Sequence, residues 1–184
     1  MKVIAGLGNP GKKYHRNRHN AGALVVEEIC RRLSIPLKDG SFSSIGGRGA
    51  IGNEPVLALL PQTYMNNSGI AVKSALDYYR ELPGSLVVIH DEVELPFGEF
   101  RHKFGGGHKG NNGIRSIMQH LGTPDFHRIR IGVGRPVHDE TRVADHVLSD
   151  FNADEMTRLE DIYGLVYDFI LHLFSDTPPA GDAP

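Results

Sequence analysis

The chain has no tryptophan, one cysteine, and no apolar run long enough to approach a membrane span. A single thiol, Cys30, excludes an internal disulfide framework and any cysteine-built zinc site, so nothing points to secretion. Met1-Lys2 leads directly into Val3-Ile4-Ala5-Gly6-Leu7, too short an apolar stretch for a signal peptide, and the expectation is a soluble cytoplasmic protein. A serine nucleophile elbow of the G-x-S-x-G type is missing as well. Cys30 itself falls inside an apolar helical pattern and reads as core.

A strong net charge is also lacking. The sum of -2 over 184 residues would argue against a nucleic-acid partner if the charge were spread evenly, but it is segregated along the sequence. Lys12, Lys13, Arg16 and Arg18 crowd one loop, and Arg101, Lys103, Lys109, Arg115, Arg128, Arg130 and Arg135 face only Asp125 across a second stretch. From Asp139 onward carboxylates outnumber Arg142 and Arg158. Either the basic stretches form a phosphate-binding face or they are ordinary solvated surface.

The length fits one domain, in which about 70% of the unfolded surface can be buried. Apolar runs at 3–7, 56–60, 86–90 and 129–133 lack alternation, as strands covered on both faces do. Helical patterns at 21–33, 68–80 and 112–121 lie between them, with Gly122 as a stop. A weaker strand pair over 42–51, turning at Gly52-Asn53-Glu54, adds an antiparallel hairpin. The expected fold is a single-domain, three-layer αβα sandwich over residues 1–174, with a mixed, mostly parallel twisted sheet. Asn152 and Glu155 form a capping-box pattern opening a last helix, whose stripe is Met156, Leu159, Tyr163, Val166, Ile170 and Leu173. Residues 175–184, rich in Pro, Asp and Ala, read as a frayed tail.

Working residues in open α/β sheets lie just past the carboxyl ends of strands. Those positions hold Asn9, then Tyr64, Met65 and Asn66, then Asp91, while a glycine-rich loop delivers Asn112 and His19 follows the first loop. If the loops meet, they assemble one imidazole, one carboxylate and three carboxamides, a set suited to acyl hydrolysis by water. A neutral His19 can accept a proton near neutral pH, Asp91 can fix its tautomer, and carboxamides can position water and carbonyl without permanent charge. Alone, His19 is one of ten histidines and Asp91 could merely cap a turn. Their weight lies in the combination.

Other chemistries fit less well. Gly6-Leu7-Gly8-Asn9-Pro10-Gly11 has dinucleotide-binding spacing, but a polar loop rather than a helix follows, and Glu27 and Glu28 sit in a helical pattern. His15 and His19 have i, i+4 spacing without a general-base Glu between them. In Gly105-Gly106-Gly107-His108-Lys109-Gly110 the glycines allow close approach to a phosphate or another loop, and Lys103 lies nearby. Arg130 could share a face with a bound phosphate. Tyr14 and Tyr64 offer flat faces for a base or ribose, or belong to the core.

Five ordered motifs, 6–11, Arg18-His19-Asn20-Ala21-Gly22, Tyr64-Met65-Asn66-Asn67-Ser68-Gly69, His90-Asp91-Glu92 and 105–113, resemble those of bacterial peptidyl-tRNA hydrolases. The likeness extends from residue 3 to about residue 173 and includes Phe126-His127-Arg128-Ile129-Arg130. The resemblance implies hydrolysis of the ester between a peptide, or N-blocked amino acid, and the tRNA 3′ ribose, which recycles tRNA from prematurely released peptides. It implies His19 as proton acceptor, Asp91 as its stabiliser, and Asn9 as the residue distinguishing blocked from unblocked substrates. Tyr14, Tyr64, Met65, Asn66 and Asn112 would contact substrate, and Lys103 and Arg130 would clamp the 5′-phosphate of the acceptor stem. The implied partner is peptidyl-tRNA, through its acceptor stem, 3′ CCA end and peptide. No metal, organic cofactor, membrane or obligate protein partner is implied, and a monomer is expected. Asn111 stands where relatives often carry histidine, so the motif spacing selects Asn112. The short C-terminal end departs from longer relatives. A non-catalytic RNA-binding relative is the rival reading, which retention of His19, Asp91 and the asparagines disfavours and hydrolytic turnover would decide.

Overall fold

The computed structural model describes residues 1–137 and 142–175; the expected tail beyond Ser175 lies outside the described residues. Along the chain come β1 (Lys2–Gly6), α1 (Ala21–Arg32), β2 (Lys38–Asp39), β3 (Ser44–Ile51), β4 (Glu54–Pro61), α2 (Ser68–Tyr79) and β5 (Leu86–Glu92). They are followed by β6 (Phe100–Phe104), α3 (Asn112–Leu121), β7 (His127–Gly132), α4 (Val143–Val147) and α5 (Ala153–Phe174). The sheet order is β2-β3-β4-β1-β5-β7-β6. Its central strands β4, β1, β5 and β7 run parallel, and β2, β3 and β6 are antiparallel additions. The fold is therefore the mixed αβα sandwich expected.

Burial on both faces explains the unbroken apolar runs of the central strands. Ile4, Val87, Ile89, Ile129 and Ile131 pack under α1 and α5, whereas Val3, Ala5, Leu57, Leu59 and Val88 pack under α2 and α3. Each Val, Leu or Ile side chain so removed from water contributes about 1.5–3 kcal/mol. Cys30 belongs to the first layer, and burial pushes its thiol up to about 12, so it is unreactive there. The capping box of α5 forms: the Glu155 N–H donates to Asn152 Oδ1 and the Asn152 N–H to Glu155 Oε2, both at 2.8 Å. Its buried face is Leu159, Ile162, Tyr163, Val166, Ile170 and Phe174, with Met156 and Leu173 only half-buried at its margin.

Neither β6 nor α4 is anticipated by local pattern. The strand reads Phe-Arg-His-Lys-Phe, with three polar residues in succession, and pairs only along its β7 side at the sheet edge. The five residues of α4 are too few for a helical period to register.

One close approach sets the geometry of the later site. A Cβ on Gly22 would lie 2.0 Å from the Ile89 carbonyl oxygen, so glycine lets the first turn of α1 rest directly on β5. The Leu7 N–H donates to Ile89 O at 2.9 Å and the Ala23 N–H to Leu7 O at 3.0 Å, locking that junction. Gly22→Ala should cost about 3 kcal/mol or more. For a chain of this size that corresponds to about 6–12 °C in Tm by thermal denaturation. Gly107→Ala, where a Cβ would meet nothing within 4 Å, should leave Tm unchanged.

Candidate active site

Because β1, β4, β5 and β7 are parallel, their carboxyl ends open on one edge. A cleft of about 530 Å³ lies there, lined by Asn9, His19, Tyr64, Met65, Asn66, Asp91, Asn111 and Asn112 among others. The imidazole, the carboxylate and the three expected asparagines thus meet in space.

His19 sits on a 3-10 turn, Arg18–Asn20, immediately before α1, and Asp91 is the penultimate residue of β5. The α1–β5 contact at Gly22 brings them together: His19 Nδ1 lies 2.9 Å from Asp91 Oδ2. An ionised carboxylate only accepts, so Nδ1 carries the hydrogen and neutral His19 leaves Nε2 as acceptor. Burial pulls the imidazole pKa down, but the charge of Asp91 and its hydrogen bond outweigh that effect and leave it raised. Asp91 is almost wholly buried beneath it, its side chain 3% exposed.

Asn9 is fixed from two directions. The Asn9 N–H donates to Asn20 Oδ1, and Asn20 Nδ2 donates to the Asn9 carbonyl, both at 2.9 Å. The Met65 N–H then donates to Asn9 Oδ1 at 2.8 Å, which settles the amide orientation and leaves Nδ2 as the donor available to the cleft. Met65 itself is buried. Its neighbour Tyr64 adopts φ 56°, ψ 159°, a region bulky residues rarely occupy, at a cost of about 1–3 kcal/mol. That exposed ring stands edge-on to Tyr14, centroids 6.5 Å apart.

Asn66 is exposed at the rim and Asn112 is half-buried at the first turn of α3, neither side chain hydrogen-bonded to protein among the described residues. One side of the wall is apolar, formed by Val93 and by Val143, Ala144, Val147 and Leu148 of the α4 region, and His90, Glu92, His108 and Lys109 also line the cleft. Beyond it, Lys103 and Arg130 line a small recess beneath the glycine loop, with Arg130 Nη1 3.6 Å from Glu92 Oε2.

Two basic residues of the sequence reading turn out to be structural. Arg18 donates to Ser149 Oγ, the Asp150 carbonyl and Glu155 Oε2 at 2.6–2.7 Å. It straps the His19 loop to the start of α5, helped by Asn17 Nδ2 donating to Asp150 Oδ1 at 2.5 Å. Buried Arg128 donates to the carbonyls of Gly106 and Gly107 at 2.7 and 2.8 Å and pins the glycine loop. The exposed charge of the first loop is thereby reduced to Lys12, Lys13 and Arg16. His15 pairs with Glu27 at 3.0 Å, not with His19, and α1 starts at Ala21 rather than at the glycines. These facts disfavour both the metal-pair and the dinucleotide readings.

Sequence reasoning gave no role to Asn20, Asn111 or the α4 wall. Asn immediately before a helix is a recognisable cap, and that signal was available for Asn111. No local pattern marks Asn20 as a clamp on Asn9.

A family model described as peptidyl-tRNA hydrolase matches residues 3–180. Peptidyl-tRNA hydrolase of Syntrophotalea carbinolica is 45% identical over 162 residues, 88% of this chain and 84% of that protein. The Bacillus subtilis protein of that name is 44% identical over 161 residues, 88% and 85% of the two chains. A crystal structure of peptidyl-tRNA hydrolase from Acinetobacter baumannii superposes with a TM-score of 0.85 at 41% identity, covering 91% of this chain and 85% of that one.

Proposed function

The chain belongs to the peptidyl-tRNA hydrolase family and is a hydrolase of the peptide–tRNA ester, and from that premise we propose that His19 activates the attacking water. The observation that carries this reading is the His19–Asp91 hydrogen bond at the mouth of an amide-lined cleft. Nε2 takes a proton as the water oxygen bonds to the ester carbonyl carbon. The tetrahedral intermediate collapses, the bond to the ribose oxygen breaks, and the proton on Nε2 passes to that oxygen. Asp91 stabilises the imidazolium between these transfers.

Asn9 offers its Nδ2 donor to a substrate carbonyl. A blocked amino group presents such an acceptor, whereas a free α-ammonium presents only donors and positive charge, which gives a physical basis for the selectivity assigned to Asn9. Asn66 and Asn112 have uncommitted amides to hold water and ester, and Met65 shapes the floor. Tyr14 and Tyr64 supply ring faces for the CCA end. Lys103 and Arg130 hold the 5′-phosphate, for which Arg130 exchanges its long contact with Glu92. The role is recycling of tRNA from prematurely released peptides, by a monomer in the cytoplasm. Among the described residues no helix is long and apolar enough to cross a membrane.

Purified protein should cleave N-acetyl-aminoacyl-tRNA and spare the unblocked aminoacyl-tRNA, and a tRNA lacking its 5′-phosphate should raise KM. Binding of tRNA with no ester cleavage would favour the non-catalytic reading.

A further inference from the structure

The carboxylate of Asp91 has two oxygens, and His19 uses only one. The other, Oδ1, receives Asn111 Nδ2 at 3.1 Å, and the same nitrogen lies 3.5 Å from the Asp91 carbonyl oxygen. The orientation of this amide is not ambiguous. Asn111 Oδ1 accepts the Ile114 N–H at 3.0 Å as the N-cap of α3, so the end facing Asp91 must be the donor. The Asn111 backbone is tied in as well, its N–H donating to the His108 carbonyl at 2.9 Å.

We infer that Asn111 is a positioning residue for the reaction: it holds one oxygen of Asp91 so that the other is aimed at His19 Nδ1. The inference rests on His19 being the base and adds a third member to the pair. A carboxylate at a strand end can rotate about its last bond, and turning Oδ2 away would free the imidazole to adopt either tautomer. A donor on Oδ1 removes that freedom. An amide suits the task because it donates without adding a titrating charge beside the base. The cap fixes the amide through α3, so the position of Asp91 depends on a helix that packs against the opposite face of the sheet from α1.

The other titratable groups around the pair are His90 and Glu92 on β5 and His108 and Lys109 on the glycine loop, while the α4 wall contributes only apolar side chains. Asn111 is thus the one donor to the Asp91 side chain, among the described residues, that never titrates. Without it Oδ2 leaves Nδ1 part of the time, and because that hydrogen bond helps raise the His19 pKa, the pKa falls.

Two substitutions separate positioning from capping. Asn111→Ser retains a good N-cap but is too short to reach Asp91, whereas Asn111→Ala loses both contacts. The expectation is that both lower kcat by about 10-fold or more, as loss of a hydrogen bond to a charged group does, with KM within about twofold. Their acid limbs should move to lower pH, and only Asn111→Ala should lose Tm. If Asn111→Ser keeps the parent kcat and pH profile, Asn111 is a cap alone and the inference fails. Loss of KM rather than kcat would also overturn it, since that would make Asn111 a binding residue. The base assignment is tested separately by His19→Ala: an inactive His19 variant beside a fully active Asn111→Ser would reject only the positioning role.

Discussion

His19→Ala is expected to lower kcat about 100- to 10,000-fold, the range typical of losing a general base. This corresponds to roughly 3–5.5 kcal/mol of transition-state stabilisation. KM should change little, because the imidazole meets a water and a proton in flight more than it meets the bound ground state. The fold should survive, since His19 belongs to neither apolar layer of the core and Asp91 keeps its hydrogen bond from Asn111. The measurement is single-turnover cleavage of N-acetyl-aminoacyl-tRNA beside a thermal melt. An intact rate would sink the base assignment, and an unfolded variant would show instead that the His19–Asp91 contact holds the α1–β5 junction together.

The parent pH profile follows from the same pair. A base works only when unprotonated, and His19 has its pKa raised, so the acid limb of kcat should lie above the ordinary histidine value of about 6.5. Activity is lost as pH falls through that limb, because the fraction of neutral His19 falls.

Asp91→Asn should be at least as damaging as Asp91→Ala, although it is nearly isosteric. Asn111 already donates to the Oδ1 position, so an amide at 91 would turn its own oxygen there and point its NH₂ at His19 Nδ1. Nδ1 must then accept, the hydrogen moves to Nε2, and the nitrogen facing the water can no longer take a proton. A kcat loss of about 1,000-fold or more is expected for Asp91→Asn, in line with what a wrong tautomer costs other His–carboxylate systems. Asp91→Ala leaves the tautomer free, so some productive imidazole remains. In both variants the charge that raises the His19 pKa is gone while burial remains, and any residual activity should extend to lower pH than in the parent. If Asp91→Asn runs faster than Asp91→Ala, the tautomer argument is wrong.

Much of the architecture was legible in sequence because local pattern and local structure coincide there. Central strands buried on both faces are continuous apolar runs, and α5 announces itself with Asn152, Glu155 and a regular stripe. Parallel strands leave their carboxyl ends on one edge, which is why Asn9, Asn66 and Asp91 could be expected around one cleft before any distance was known. β6 was hidden because an edge strand with no fully buried residue need not be apolar, and α4 because one short turn carries no period.

Charge was the least legible property. Arg18 and Arg128 looked like members of a phosphate-binding surface, yet one is committed to Ser149, Asp150 and Glu155, and the other to the carbonyls of the glycine loop. A guanidinium with several donors serves backbone carbonyls as readily as phosphate, and the sequence has no mark that separates the two uses.

The amino-acid sequence by itself determined the central strands, the four longer helices, the cap of α5, and the side-chain types present at the strand ends, since these depend on neighbours two to four residues away. Only the tertiary structure decided which of those side chains meet. His19 and Asp91 are 72 residues apart, Asn111 reaches Asp91 across 20, and Asn17 reaches Asp150 across 133. Contacts at such separations are set by how α1 settles on β5 at Gly22 and how α3 caps itself beside the cleft. Helix-on-sheet packing is a property of the assembled core, and it is there that Asn111 rather than Asn112 became the partner of Asp91.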